Sequence, residues 1–263
     1  MIGNHTYYPE EKMLHARIPY IMGTGFEMIL IGKEEEESES IWDSVRSILV
    51  DIDCRMNRFS PESEVYKVNM KLGYERVRIS DELATAIRLC ISYHDRTSGL
   101  FDITRKDITC LRLDDNILES TSPDLMLDFG GFAKGFALQF IHDLLRAEGV
   151  DTAFVDFGGS SILALGTHPY GDCWKVRMRD LMNPVEFMLK DCAMSVSGNI
   201  VGYSGHIINP KTGESVDGAA VAVVVGHDVL DAEILSTVMM IADDRQKKDI
   251  KDKFPTMDIK ILS

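Results

Sequence analysis

The chain lacks the marks of several large protein classes. Its longest apolar runs fall far short of the roughly 20 residues a bilayer-spanning helix needs, so no membrane span is expected. The first twelve residues, from Met1 to Lys12, hold no apolar signal-peptide core, and the chain as written reads as cytoplasmic. Cysteine is scarce. Cys54, Cys90, Cys110, Cys173 and Cys192 form an odd set with no Cys-x-x-Cys pair, which suits small buried thiols better than a disulfide framework or a zinc-thiolate site. Positive charge is outweighed, with 28 Lys and Arg against 42 Asp and Glu, a formal net charge of −14. Long-range attraction to nucleic acid or to an anionic membrane is therefore not expected. A phosphate-bearing ligand would have to be held by local lysine, histidine, backbone N–H groups or a bound cation.

What is present is enough apolar material for a large core: 263 residues, 45% of them hydrophobic. Residues 1–17 are polar and mixed and read as a loose arm, with 18–263 as one domain or two intimately packed subdomains. Ile18 to Gly32 reads as an edge segment leading into a strand, broken at Met22-Gly23-Thr24, and the acids from Glu34 to Glu39 as a solvated loop and helix entry. Val45, Ile48, Leu49, Ile52 and Met56 keep helical spacing until Asn57-Arg58-Phe59-Ser60-Pro61. Ser80 caps a second helix that Gly99 can stop. Asp114-Asp115-Asn116 reads as a turn rather than a metal site.

The central stretch runs from Leu127 through Asp128, Gly130, Gly131, Ala133 and Lys134 to Leu145, where an acid and a glycine pair lead straight into an amphipathic helix. Glycines at a helix start let backbone N–H groups approach a ligand, the helix dipole favours an anion there, and Lys134 adds a formal charge. A Walker A loop is excluded, since the lysine precedes Gly135 and no Ser or Thr follows; Phe132 stands where a dinucleotide fingerprint needs its second glycine. Close packing explains a glycine pair equally well, so the rest of the chain has to decide.

Asp156-Phe157-Gly158-Gly159 repeats the acid-aromatic-Gly-Gly corner after a strand that starts at Thr152. Strand-like segments follow at 161–165, 174–178 and 185–189, an order typical of an antiparallel sheet. Ser197 and Gly198 lie in a run of small residues, and His206 enters a turn made by Asn209-Pro210 and Gly213. The apolar run 218–226 is a buried strand, and a last helix starts around Asp231. On it Glu233 and Thr237, four residues apart, stack on one side, a carboxylate and a hydroxyl that suit magnesium; an ordinary cap acid and a buried threonine bonded to its own helix fit as well.

Taken together, the chain resembles the FAD:protein FMN transferases, the ApbE-type flavin transferases, over about Ile21 to Asp243. The resemblance is carried by Met22-Gly23-Thr24, Arg58 to Glu64 with Asn69, Phe101-Asp102-Ile103-Thr104, Leu127 to Gly135, Val155 to Gly159, Ser197-Gly198, His206 to Gly213 and Ala232 to Thr237. It implies an α+β, T-fold-like architecture of antiparallel sheets with packed helices. It also implies an enzyme that binds FAD as substrate, uses magnesium, and moves FMN onto a Thr or Ser hydroxyl of an acceptor protein with release of AMP. Carried over by position, Met22, Asp128, Gly130, Gly131, Lys134, Asp156, Gly158, Gly159, Ser197, Gly198 and His206 would line the FAD site. The carbonyl of Ala133 with Glu233 and Thr237 would hold the magnesium, His206 would be the general base, and Lys134 would support the phosphate chemistry.

The chain departs from the family pattern in four ways. Glu233 stands where the family usually has Asp, Asn57 replaces a usual Ser, the stretch from Phe101 to Asp128 is shorter, and the customary export signal is absent. A transferase with its own acceptor, a magnesium-dependent FAD pyrophosphatase, and an FAD-binding protein without turnover all remain compatible with the residues.

Overall fold

The computed structural model describes residues 3–104, 106–178, 184–198, 207–216 and 220–262. Along the chain lie β1 (Asn4–Tyr8), β2 (Met13–Ile21), β3 (Thr24–Ile31), α1 (Glu35–Met56), α2 (Glu64–Asn69), β4 (Val77–Arg78), α3 (Asp81–Arg96), β5 (Leu111–Asp114), β6 (Ile117–Ser120) and α4 (Ala133–Ala147). Then follow β7 (Thr152–Phe157), β8 (Ser161–Leu165), β9 (Trp174–Met178), β10 (Val185–Leu189), β11 (Cys192–Gly198), β12 (Val221–Gly226), α5 (Val229–Ile241), α6 (Asp244–Lys253) and β13 (Asp258–Leu262). Eight strands make one sheet in the order β1-β2-β3-β7-β8-β11-β12-β13, every pairing antiparallel. The expected α+β architecture, an antiparallel sheet with packed helices, is the one the chain adopts.

One face of that sheet carries the main core. Phe26, Met28 and Leu30 of β3 alternate with the less buried Glu27, Ile29 and Ile31 and meet Phe157, Val155 and Ala153 of β7, the period-2 pattern of a strand with one fully buried face. Against them pack Trp42, Val45 and Leu49 of α1 and Ala137, Ile141 and Leu145 of α4. The opposite face is covered locally by the β9–β10 hairpin, whose Trp174, Phe187 and Leu189 sit on Ile162, Ala164, Met194 and Val223. All five residues of β8 are buried for that reason.

The loose arm expected over 1–17 is corrected: Asn4–Tyr8 and Met13–Ile21 are strands, joined by a turn at 9–12. Leu14, Ala16 and Ile18 alternate with His15 and Arg17, and that short period buries the first three completely or nearly so while the other two reach Glu27. The acids at 34–39 belong to α1 itself. Glu34 and Glu37 form a capping box, and Glu35 to Glu37 lie in the first turn, where the dipole favours negative charge. Only Cys90 of the five free cysteines is buried, and Cys54 is exposed. No helix among the described residues is long and apolar enough to cross a membrane.

Candidate functional site

Two glycine corners, Gly130–Gly131 and Gly158–Gly159, line one cleft. At the first, the Asn69 side chain donates to the Leu127 carbonyl at 2.9 Å and accepts from the Leu127 N–H at 2.8 Å, standing in for a strand partner. The Asp128 N–H donates to the Ile103 carbonyl at 2.6 Å. Asp128 in turn accepts from the Gly130 N–H at 3.0 Å, and its other oxygen lies 3.1 Å from Arg58 Nε, an ion-pair distance without hydrogen-bond alignment. Three segments distant in sequence thus fix the backbone that leads into α4. The helix begins at Ala133, and the N-cap residue before it, Phe132, offers its first turn no side-chain cap.

At the second corner Gly158 and Gly159 have φ of +70° and +68°, a conformation that side-chain-bearing residues avoid. A Cβ on Gly158 would stand 2.6 Å from Thr24 Cγ2 and 2.9 Å from Thr24 Cβ, so this corner closes on the β2–β3 turn, where Met22 itself has φ +49°. Asp156 accepts from the Gly159 N–H at 2.6 Å. Burial pushes the Asp156 carboxyl above its ordinary value, with Glu27 adding to the shift and the Gly159 hydrogen bond opposing it.

Between the corners sits a buried carboxylate. Residues 229–236 of α5 are all buried, Glu233 at 4% exposure, because the helix lies between the sheet and α4. The close approach depends on Gly135: a Cβ there would stand 2.8 Å from Glu233 Cγ and nearer still to its Cβ. Glu233 Oε1 accepts from Lys134 Nζ at 2.8 Å, while Oε2 accepts from Ser161 Oγ at 2.6 Å and Ser195 Oγ at 2.9 Å. Lys134 also donates to Ser160 at 3.1 Å and Ser161 at 2.6 Å. A chain of hydroxyls continues from Ser195 through Ser236 (3.0 Å) and Ser197 (2.8 Å) to Thr237 (3.1 Å). Every polar atom of this cluster is paired, which is what makes a charge tolerable at such depth.

These features open onto a single cleft of about 1250 Å³. Of the residues singled out from the sequence, Met22, Asp128, Gly130, Gly131, Lys134, Gly158, Gly159, Ser197, Gly198, Glu233 and Thr237 line it. Asp156 stands behind its corner, and Ala133 precedes Lys134 without lining the cleft. His206 lies outside the described residues, although Ile207, Ile208 and Pro210 just after it form part of the wall.

Sequence reasoning missed Ser161, Ser195 and Ser236, three buried hydroxyls that hold the carboxylate and its helix. A signal was there: Ser195 and Ser197 are two apart on one strand and so share a face. It also left Arg58 and Phe59 inside a motif without assigning them to the cleft they border. Among the described residues no group of three or more His, Cys, Asp or Glu could hold a metal ion by itself.

Comparison with known proteins gives the same reading. The family model described as "ApbE family" matches residues 22–112 and 104–259. The FAD:protein FMN transferase of Vibrio cholerae is 23% identical over 248 residues, covering 78% of this chain and 74% of that one. The protein of the same name from Escherichia coli K12 is 20% identical over 276 residues, covering 87% and 78%. Among solved structures, the flavin transferase ApbE of Vibrio cholerae superposes with a TM-score of 0.81 at 20% identity, covering 96% of this chain and 98% of the other. The ApbE protein of Thermotoga maritima superposes with a TM-score of 0.78 at 18% identity, covering 97% and 94%. With both glycine corners, the lysine at the helix start and the last-helix pair inside the matched spans, the chain belongs to the ApbE family.

Proposed function

We propose that this protein is a flavin transferase that takes FAD as substrate and moves its FMN portion onto a Thr or Ser hydroxyl of an acceptor protein, releasing AMP. The observation that carries the reading is the meeting of Lys134, Glu233 and Thr237 in one cleft between two glycine corners. At about 1250 Å³ the cleft exceeds the ~300–1000 Å³ usual for drug-sized ligands, in keeping with a dinucleotide.

The donor set fits magnesium of a particular kind. Glu233 and Thr237 are hard oxygen donors one turn apart on α5, and Oε1 of Glu233 already accepts a cation, the Lys134 ammonium. With no cluster of three acids or histidines among the described residues, one carboxylate and neutral oxygens are what the chain supplies. That is too little for an all-protein cage, and it matches magnesium's habit of binding through one or two carboxylates together with substrate phosphates and water. The Ala133 carbonyl completes the proposed set. When bound, the ion supplies charge neutralisation on the pyrophosphate and on the departing AMP.

The chain's own residues do the rest. Lys134 offers its ammonium to the pyrophosphate at the positive end of α4. The Gly130–Gly131 and Gly158–Gly159 corners let backbone come close to the dinucleotide without side-chain obstruction. Imidazole, with an ordinary pKa near 6.5, is neutral in a useful fraction at pH 7, so His206 takes the proton of the acceptor hydroxyl. That oxygen bonds to the flavin-side phosphorus as the bond from phosphorus to the bridging oxygen breaks, and AMP leaves with that oxygen.

The test is to incubate the purified protein with FAD and magnesium, with and without an acceptor carrying a flavinylation Thr or Ser. Gain of the FMN mass on the acceptor, matched by AMP, is the expected result. AMP without acceptor labelling would make it a pyrophosphatase, and FAD left intact over hours would make it a carrier. Glu233→Gln should remove magnesium-dependent turnover while the thermal unfolding curve stays cooperative.

A further inference from the structure

Lys134 and Glu233 cannot serve a dinucleotide and a divalent ion while they hold one another. Two of the three donors to the Glu233 carboxylate are the buried hydroxyls of Ser161 and Ser195, both on Oε2. Oε1 is the oxygen that remains, and the Lys134 ammonium takes it at 2.8 Å. The lysine is also the more accessible partner, its side chain 21% exposed against 5% for the glutamate. It springs from the first turn of α4 at the edge of the cleft, so it is the partner that can turn outward.

We propose that Lys134 is an internal cation that occupies Glu233 until the pyrophosphate of an incoming dinucleotide draws it away, so that the anion and the divalent ion bind as a coupled pair. The inference rests on the Glu233 and Thr237 ion site proposed above and adds an order of events to it. A divalent ion arriving alone has to displace the ammonium, and the displaced charge finds only the hydroxyls of Ser160 and Ser161 among its present partners. Two positive groups would then share a part-buried space with the one Glu233 carboxylate, which the ion has taken. A pyrophosphate arriving alone pulls Lys134 off and leaves a carboxylate at 4% exposure with hydroxyl donors and no counter-charge, beside further negative charge. When both arrive, each charge has an opposite neighbour. Because linkage is reciprocal, whatever factor the dinucleotide lends the cation, the cation lends the dinucleotide.

The coupling is read by binding, without turnover. Mn2+ is titrated into wild-type protein, Lys134→Gln and Lys134→Arg, following the free-ion paramagnetic signal, with and without an FAD analogue whose bridging oxygen is replaced by a methylene. Without the analogue, Lys134→Gln should bind Mn2+ on the order of tenfold tighter than wild type, within the usual span of site-to-site coupling. Lys134→Arg, which keeps the competing charge, should match wild type. With the analogue bound the advantage of Lys134→Gln should vanish or reverse. A folded Lys134→Gln that binds Mn2+ no tighter than wild type in the absence of analogue overturns the proposal. Absence of Mn2+ binding by all three proteins even with the analogue overturns the ion site itself, and this inference with it. A measurement on wild type alone guards against misfolding of the variant: saturating Mn2+ should raise the rate at which an acylating reagent labels Lys134, and an unchanged rate under saturation would refute displacement.

Discussion

Replacing Gly135 with alanine separates the stability of the α4–α5 contact from its role in placing Glu233. The new methyl would sit 2.8 Å from Glu233 Cγ, nearer still to Glu233 Cβ, and 3.5 Å from Leu230 Cδ1. Carbon atoms prefer about 3.5–4.0 Å, so one helix has to move by about 1 Å. Helix propensity alone would reward the change by about 1 kcal/mol, and overpacking a core costs about 1–3 kcal/mol. The net loss is therefore about 0–2 kcal/mol, and at about 2–4 °C per kcal/mol for a chain near this size the melting temperature should fall by no more than about 8 °C. The site should suffer far more, because a shift of about 1 Å in a catalytic group can cost about 100-fold in rate. The assay pairs thermal unfolding with chromatographic measurement of AMP released from FAD and magnesium. Wild-type turnover in the variant would show that the closeness of the two helices does not set the carboxylate. A collapse of the melting temperature would place Gly135 in the core's account rather than the site's.

Asn69→Ala strips both partners from Leu127, and at about 1–3 kcal/mol for each buried group left unsatisfied it should lower stability in urea by about 2 kcal/mol or more and weaken FAD binding in a fluorescence titration. Gly158→Ala and Gly159→Ala share a positive φ that costs about 1–2 kcal/mol, but only the first meets Thr24, so Gly158→Ala should melt clearly lower than Gly159→Ala, whose Cβ has nothing within 4 Å. Asp156→Asn tests the carboxyl that burial pushes upward from 3.8. A raised folded pKa means the folded protein binds the proton more tightly, so this group's contribution is present below about pH 4 and is lost as pH rises through the folded value. The variant should therefore gain stability relative to wild type between pH 4 and neutrality, and a melting-temperature difference that does not change with pH across that range would contradict it.

Much of the fold was legible because it depends on local periodicity. The strands at 161–165, 174–178 and 185–189 follow from their residues alone, and Ser80 caps the helix Asp81–Arg96, which ends shortly before Gly99. What escaped was decided by partners distant in sequence. Met13–Ile21 is a strand because β1 and β3 flank it, and Asp258–Leu262 because β12 offers an edge. The helix Asp244–Lys253 is so charged that one buried residue, Ile250, is all its core-facing pattern contains. For the cleft, the glycine corners, Lys134 and the Glu233/Thr237 spacing were visible as motifs; of the three buried serines only Ser195 carried a signal, its shared face with Ser197 on β11, while Ser161 on β8 and Ser236 on α5 stand alone among apolar neighbours and show no period of their own.

Those serines explain how a glutamate is accommodated where the family pattern usually has an aspartate. One extra methylene carries the carboxylate farther from α5 toward β8 and β11, into ground that a sheet interior would normally fill with apolar side chains. Ser161 and Ser195 instead bring small hydroxyls from two adjacent, hydrogen-bonded strands, and Ser161 pairs with Ser195 in the ladder itself. Each points its oxygen at Oε2, and the glycine at 135 keeps α4 close enough for Lys134 to reach Oε1. Length, donors and clearance thus agree on one position for the carboxylate. If any of the three were set for a shorter side chain, the longer acid would meet either a methyl in its path or an oxygen without a donor, and burial at 4% exposure would make the second costly. The departure at 233 is therefore matched by its surroundings, which fix the carboxylate in the one position that the proposed ion site requires.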